Sequence, residues 1–124
     1  MKRFASHRLY ISHLNLLLKN HVVEIDDITG AVTRYFPFTE EVSFTEWLNG
    51  LIVLSCDVPV ISFKKELNIS SETTVISVDE GKNIRSVLSS AYNKTPLILK
   101  AYYITPFNVF EISFAEDSRV LPLL

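Results

Sequence analysis

Three histidines, His7, His13 and His21, all fall within the first 21 residues and are the first candidates for chemistry. Imidazole binds zinc and transfers protons near neutral pH. One hypothesis is that His13 and His21 approach each other across the first hairpin and bind a metal with Asp26 or Asp27. The spacings of six and eight residues between the histidines match no motif of metal ligands. We therefore favour histidines that lie at strand ends or on the surface, and we predict no metal site.

The second candidate is Cys56, which is the single cysteine of the chain and lies beside Asp57. One cysteine excludes an intrachain disulfide and a zinc cluster made of thiolates. A nucleophilic thiol needs a nearby histidine or positive group, and an adjacent carboxylate has the opposite effect. We therefore predict that Cys56 is a small, half-buried core residue.

Carboxylates form the third group, and they are Asp26, Asp27, Glu40, Glu41 and Glu46. Such a group could hold a cation or supply a general acid and base. Carboxylates in loops beside strands are more often simply solvated. We predict no catalytic residue and no cofactor.

The aromatic residues are concentrated in two stretches. The first contains Tyr35, Phe36, Phe38, Phe44 and Trp47, and the second contains Tyr102, Tyr103, Phe107, Phe110 and Phe114. Neighbouring residues in a strand point to opposite faces, so Tyr35 and Phe36 cannot both lie in one core, nor can Tyr102 and Tyr103. Some aromatic side chains must therefore lie on an outer face, where a partner or a covering helix contacts them.

The elements that position these residues are centred on residues 47–57, Trp-Leu-Asn-Gly-Leu-Ile-Val-Leu-Ser-Cys-Asp. The run turns at Asn49-Gly50, and its apolar residues 51–54 predict a strand buried on both faces. Residues 21–36 predict a hairpin around the turn Asp-Asp-Ile-Thr-Gly at 26–30.

Later in the chain, residues 59–63 and 73–78 predict two further strands, and 64–68 predict a helical turn. Residues 97–104 and 108–114 predict a second hairpin-like pair around 105–107, followed by an edge strand or docked tail at 119–124. Residues 80–92 carry an apolar stripe at i, i+3, i+4 and i+7 and predict a helix. The stripe consists of Ile84, Val87, Leu88 and Ala91.

The predicted fold is therefore mainly β, a β-sandwich of about seven strands with antiparallel hairpins and one α-helix near residues 80–92. A chain of 124 residues is expected to form a single domain, residues 1–124.

A hairpin and an apolar run in the first 57 residues carry a resemblance to a known family. The hairpin is residues 22–34, Val-Val-Glu-Ile-Asp-Asp-Ile-Thr-Gly-Ala-Val-Thr-Arg, and the run is residues 48–57. They resemble the N-terminal β-sandwich (composite) domain of the amidohydrolase superfamily. In those enzymes a hairpin with an Asp-x-x-Gly-type turn is followed by the run Leu-Pro-Gly-Leu-Ile-Asp-x-His-x-His, and the small β-sandwich comes before a metal-binding barrel. The resemblance implies that residues 97–124 add closing strands to the same sheet.

This chain departs from the family pattern at the positions of the metal ligands. The two histidines of the family motif fall on Ser55 and Asp57, and the aspartate falls on Val53. Serine is a poor zinc ligand, and one carboxylate does not replace two imidazoles. The residues after 57 are also too few for a (β/α)₈ barrel of about 250 residues. The resemblance therefore implies the accessory domain without hydrolase activity.

Composition excludes several classes of partner. A net charge of −2 and a pI near 5.9 give no basic footprint for nucleic acid. Lysine and arginine are scattered, so no polybasic membrane patch is expected. His7 and Arg8 interrupt the place where a signal peptide would be apolar, and no stretch approaches the roughly 20 apolar residues of a membrane span. We expect a complete, cytoplasmic protein.

Two function hypotheses follow from these observations. The first, which we favour, is a non-catalytic interaction or assembly module that forms a homo-oligomer through an aromatic sheet face. The alternative is a small binding protein or enzyme with a pocket between the sheet and the helix at 80–92, lined by Tyr92, Tyr102 and Tyr103. The candidate residues for an interface or a pocket are Tyr35, Phe36, Trp47, Tyr92, Tyr102 and Tyr103.

Overall fold

The computed structural model describes residues 1–39, 44–62, 73–79, 81–93 and 97–123. Within these residues the chain forms nine strands and two short 3₁₀ helices. The strands are β1 (Lys2–Ile11), β2 (Leu16–Ile25), β3 (Val32–Pro37), β4 (Thr45–Ser55), β5 (Val60–Ile61), β6 (Val75–Val78), β7 (Ile84–Val87), β8 (Lys100–Asn108) and β9 (Ser113–Pro122). The 3₁₀ helices are Ser12–Leu14 and Ser90–Asn93. The predicted mainly β fold is confirmed.

The strands form two sheets. The large sheet has six strands in the order β3-β2-β1-β4-β8-β9, and the small sheet has three in the order β5-β6-β7. Most neighbours are antiparallel, as predicted, but β1 pairs with β4 and β5 with β6 in parallel. The last two long strands join the same sheet as the first four, which agrees with the expectation for residues 97–124.

The middle of β4 is buried on both faces, as the apolar run predicts. Leu51, Ile52, Val53 and Leu54 are all fully buried. Ile52 and Leu54 belong to one apolar cluster, and Leu51 and Val53 belong to another. The strand therefore supplies alternate side chains to two cores, one on each face of the large sheet.

The first core lies on the inner face of the large sheet, which curls around it without closing. At the open side, the amide of Val32 donates a hydrogen bond to the carbonyl of Leu99 at 2.8 Å, and Ala31 forms a single bridge with Lys100. These contacts bring the start of β8 to the start of β3. The curl explains why Leu9 and Ile11, on the inner face, are fully buried.

The second core lies on the outer face, between the two sheets. Ile76 of β6 and Ile84 of β7 pack in the same cluster as Tyr10, Leu51 and Ile104 of the large sheet. We use "outer face" below for the face of the large sheet that carries this second cluster. The two packed layers are the sandwich that the sequence predicts.

The helix predicted near residues 80–92 is wrong. Residues 84–87 form β7, which pairs antiparallel with β6, and only Ser90–Asn93 is helical, as a 3₁₀ turn. The reason is that Asp79 makes a turn instead of a helix N-cap: its carbonyl and its side chain accept hydrogen bonds from the amides of Lys82 and Asn83, both at 3.0 Å. Pairing with β6 then buries Ile84 in the second core.

Two predicted turns in the long strands are also wrong. Asn49 and Gly50 lie inside β4, at a β-bulge where the register of β1 and β4 shifts. Residues 105–107 lie inside β8, and Pro106 sits at the register shift between β8 and β9, where a ladder tolerates a residue without an N–H. The turn that joins β8 to β9 lies at residues 109–112.

The hairpin predicted at residues 21–36 is confirmed. The carboxylate of Asp26 accepts hydrogen bonds from the amides of Ile28 and Thr29 at 2.8 and 3.1 Å, and Gly30 has a φ of 74°. Local bonding by aspartate and a left-handed glycine are the features that the sequence indicated. Two further predicted strands are present over shorter ranges: residues 60–61 of the range 59–63 form β5, and residues 75–78 of the range 73–78 form β6. Residue 63 and the helical turn predicted at 64–68 fall outside the described residues.

Candidate functional site

Side chains of β1, β2, β3 and β4 form a row on the outer face of the large sheet. Ala5 of β1 lies opposite Val22 of β2 and opposite Trp47 of β4, and Val22 lies opposite Phe36 of β3. Residues that lie opposite each other in neighbouring strands share a face. The small residues Ala5 and Val22 are fully buried, whereas the indole of Trp47 is 37% exposed. The aromatic side chains of Phe36 and Trp47 thus lie on either side of the small side chains of Ala5 and Val22.

Rings from three other segments complete this patch. The ring centroids of Trp47 and Phe38 lie 5.3 Å apart, and those of Trp47 and His7 lie 4.7 Å apart, both edge to face. The ring of Phe110 lies 6.3 Å from that of His7. We call this set, His7, Phe36, Phe38, Trp47 and Phe110, the aromatic surface. Edge-to-face packing is the favoured geometry for aromatic pairs, so the rings support one another.

The backbone holds the outlying rings in place. The amide of Phe38, just past β3, donates to the carbonyl of Asn20 at 2.7 Å. The side chain of Asn108 accepts hydrogen bonds from the amides of Phe110 and Glu111 at 3.0 and 2.9 Å. This Asx turn keeps Phe110 at the tip between β8 and β9, where its side chain is 85% exposed.

A row of charged residues borders the aromatic surface on the same face. Glu24 of β2 lies between Arg3 of β1 and Arg34 of β3, with carboxylate-to-nitrogen distances of 3.0 and 3.2 Å. Hydrogen bonds from Arg3 and then Arg34 lower the pKa of Glu24 below its ordinary value. The guanidinium of Arg34 also lies 4.8 Å from the centre of the Phe36 ring.

The six residues predicted for an interface or pocket do not form one site. Phe36 and Trp47 belong to the aromatic surface. Tyr35 and Tyr103 point to the inner face, because they lie opposite Val23 and Ile52. The remaining two lie elsewhere: Tyr102 is buried on the outer face, and Tyr92 lies in the second 3₁₀ helix.

Tyr92 closes a partly buried polar network at the end of β4. Its hydroxyl lies 2.9 Å from the Ser55 hydroxyl and accepts a hydrogen bond from the amide of Cys56 at 3.3 Å. Asp57 accepts hydrogen bonds from Ser55 at 3.2 Å and from the Thr74 hydroxyl at 2.6 Å. Burial is the main cause that raises the pKa of Tyr92. Ser55 and Asp57, where the amidohydrolase motif has histidines, are therefore bonded to neighbouring side chains.

The histidines predicted as possible ligands lie apart. The ring of His13 is 6.4 Å from that of Tyr92, while His21 on β2 has its Nδ1 2.7 Å from the carbonyl of Lys19. In the part of the chain that the structure describes, no group of three histidine, cysteine or carboxylate side chains could hold a metal ion. Cys56 is half-buried. Glu40 and Glu41 fall outside the described residues.

Sequence reasoning missed two members of the aromatic surface as site residues. From the sequence, His7 is interpreted as a strand-end or surface histidine, and Phe110 is predicted to lie inside a strand. Phe110 stands 103 residues after His7, so no local pattern connects them. Asn108, two residues before Phe110, was the available signal, since asparagine favours this kind of turn.

Comparisons with protein-family models, with curated proteins and with solved structures find no match for this chain. No helix in the described ranges has the length and apolar character needed to cross a membrane.

Proposed function

We propose that this protein is a non-catalytic interaction module that associates with a second copy of itself through the aromatic surface. The observation that carries the proposal is the exposure of Trp47 and Phe110, together with Phe38, on one side of the large sheet. Tryptophan and phenylalanine are enriched at protein interfaces because they bury much apolar area at little entropic cost.

The geometry of the surface supports a protein partner. Trp47 is held by ring contacts to Phe38 and His7, so little ordering of its side chain is needed on association. Charged side chains, Arg3, Glu24 and Arg34, form a polar border at one end. Apolar rings with a polar rim are the usual composition of an interface.

A second copy of the chain is the partner that fits most simply. Two-fold association places the same patch of each copy against the other, so an exposed apolar patch is matched by itself. The net charge of −2 produces little repulsion between two copies.

The absence of catalysis in the proposal rests on the polar network. The hydroxyl groups of Ser55 and Thr74, the carboxylate of Asp57 and the hydroxyl of Tyr92 are joined by hydrogen bonds, so these polar groups bond within the fold. The alternative function, a pocket against a helix at 80–92, loses its predicted wall because residues 84–87 form a strand. The relationship to the amidohydrolase sandwich domain stays a prediction.

The test is light scattering coupled to size-exclusion chromatography on a matched pair of variants. Phe110→Ser removes an 85% exposed ring from the aromatic surface, and Ile28→Ser removes a 94% exposed side chain from a different turn. We expect the wild type and Ile28→Ser to give the mass of a dimer over a common concentration range, and Phe110→Ser to shift toward the monomer. A monomeric wild type at all concentrations contradicts the proposal.

A further inference from the structure

A pocket of about 270 Å³ opens at the edge of the aromatic surface, and basic side chains form part of its lining. It lies where β1, β2 and the turn between β8 and β9 meet. Its lining consists of His7, Arg8, Lys19, Asn20, Val109 and Phe110. The pocket thus combines the basic side chains of Arg8 and Lys19 with the apolar side chains of Val109 and Phe110.

The shape of the pocket comes from irregularities in two strands. Asn20 has a left-handed backbone with a φ of 49°, and β1 shifts register against β4 between Ser6 and Arg8. The side chain of Asn20 lies 3.2 Å from Nδ1 of His7, and this contact links β2 to β1 at the pocket. Because of the shift, His7 and Arg8 both line the pocket although they are neighbours in the chain.

Arg8 is oriented before any ligand arrives. Its Nε donates a hydrogen bond to the carbonyl of Val109 at 3.0 Å, which fixes the plane of the guanidinium against the turn. Its terminal nitrogens make no hydrogen bond or ion pair to any residue that the structure describes. A fixed guanidinium with free donors is well suited to an anionic group.

Lys19 adds a second positive charge, and its ammonium group likewise has no ion pair within the described ranges. No carboxylate among the described residues lines the pocket. The positive charge is therefore uncompensated in a chain whose net charge is −2. The rings of Phe110 and His7 stand at the rim, 6.3 Å apart, and offer a flat apolar contact.

From this combination we propose that the pocket binds a small organic anion in which a carboxylate or phosphate group is attached to a flat ring. The anionic group pairs with Arg8 and Lys19, and the flat ring packs against Phe110 and Val109. The two basic residues lie outside the aromatic surface, whereas His7 and Phe110 belong both to the pocket and to that surface.

The experiment is a titration with phenyl phosphate, followed by calorimetry and by the emission of Trp47. Trp47 is the only tryptophan of the chain, and its ring centroid lies 4.7 Å from that of His7 in the pocket wall. Inorganic phosphate supplies the anion without the ring, and phenol supplies the ring without the anion. We expect saturable binding of phenyl phosphate, and binding of either fragment that is at least about tenfold weaker.

Three variants locate the site. Lys19→Gln removes one charge from an exposed side chain, and Arg8→Lys keeps the charge but removes the planar group. Each is expected to weaken phenyl phosphate binding by about tenfold, the loss of one charge-assisted hydrogen bond. Lys100→Gln, a change at an exposed lysine on β8, serves as the control and should bind as the wild type does.

Light scattering on the same samples separates this proposal from the proposed self-association, because every variant retains Trp47 and Phe110. No saturable binding by the wild type overturns the anion site. Equal affinity for phenyl phosphate in Lys19→Gln and the wild type, with unchanged thermal stability, also overturns it. So does equal affinity for phenyl phosphate and inorganic phosphate.

Discussion

Gly50 on β4 lies directly against the main chain of Ile104 on β8: a Cβ built on Gly50 would stand 2.5 Å from the Ile104 carbonyl oxygen. The ring of Tyr103 lies equally close to the same point. The carbonyl of Gly50 in turn accepts a hydrogen bond from the buried hydroxyl of Ser6. The bulge in β4 therefore requires a residue without a side chain, so that three neighbouring strands can keep their spacing.

The first prediction follows from this contact. Gly50→Ala should lower the free energy of unfolding by about 1–3 kcal/mol, since a backbone carbonyl must move to admit the methyl group. Gly81→Ala is the matched control, because among the described residues its Cβ would meet side-chain atoms of Asn83 and Asp79, at 3.2 and 3.4 Å, and no main-chain atom. Urea denaturation of both variants measures the difference. Equal midpoints for the two variants would show that β8 yields readily at Gly50.

The second prediction concerns the polar network at the end of β4. Tyr92→Phe removes the hydroxyl that lies against Ser55 and accepts from the amide of Cys56, and should cost about 1 kcal/mol of stability. Tyr35→Phe is the control, since the Tyr35 ring is 39% exposed. A double-mutant cycle of Tyr92→Phe with Ser55→Ala should give a coupling of at least about 0.5 kcal/mol. Strict additivity would contradict the hydrogen bond between the two hydroxyls.

The third prediction is a pH dependence of stability caused by Glu24. Hydrogen bonds from Arg3 and Arg34 lower the pKa of Glu24 from its ordinary value of 4.5, so the folded state binds the proton less tightly than the unfolded state. The resulting stabilisation is complete above pH 4.5 and is lost as the pH falls through the lowered pKa.

Glu24→Gln tests this dependence. At pH 7 the wild type should be more stable than the variant, and the difference should shrink as the pH falls below 4.5. Glu111→Gln is the control, because the partner of Glu111 is Lys82 and both side chains are more than half exposed. Thermal melts across the pH range provide the measurement. A stability difference between the wild type and Glu24→Gln that stays constant with pH would contradict the ion pairs of Glu24 with Arg3 and Arg34.

Much of the sheet could be predicted from local sequence. The run at residues 51–54 is apolar and branched without interruption, and only a strand between two cores buries all four side chains. The hairpin at 26–30 was predictable because Asp26 and Gly30 determine the turn themselves. In both places the local preference and the tertiary structure agree.

The segment near residues 80–92 shows where local reading fails. The spacing of Ile84, Val87 and Leu88 fits a helix, and a short apolar run also fits a strand. Residues 84–87 form a strand because Asp79 forms a turn before them and because an edge of β6 is available to pair with β7. Neither the turn type nor the free edge is visible in the periodicity.

The candidate site was predictable only in part for a similar reason. Alternation along a strand indicates that the side chains of Phe36 and Trp47 each point away from the face of their neighbours in sequence. It does not show that the two side chains lie on the same face of the sheet. Their common face depends on the parallel pairing of β1 with β4, which a sequence of hairpins does not suggest. The contact of His7 with Phe110 brings together β1 and the turn after β8, which are far apart in the sequence.

The central claim, that two copies meet at the aromatic surface, is tested most directly by acrylamide quenching of Trp47 over a protein dilution series. Trp47 is the sole tryptophan and its side chain is 37% exposed, so its emission reports on the surface alone. The account predicts that Trp47 is quenched readily at low protein concentration and is protected as the scattering mass rises to that of a dimer. A doubling of mass with unchanged quenching would place the interface elsewhere and would contradict the account.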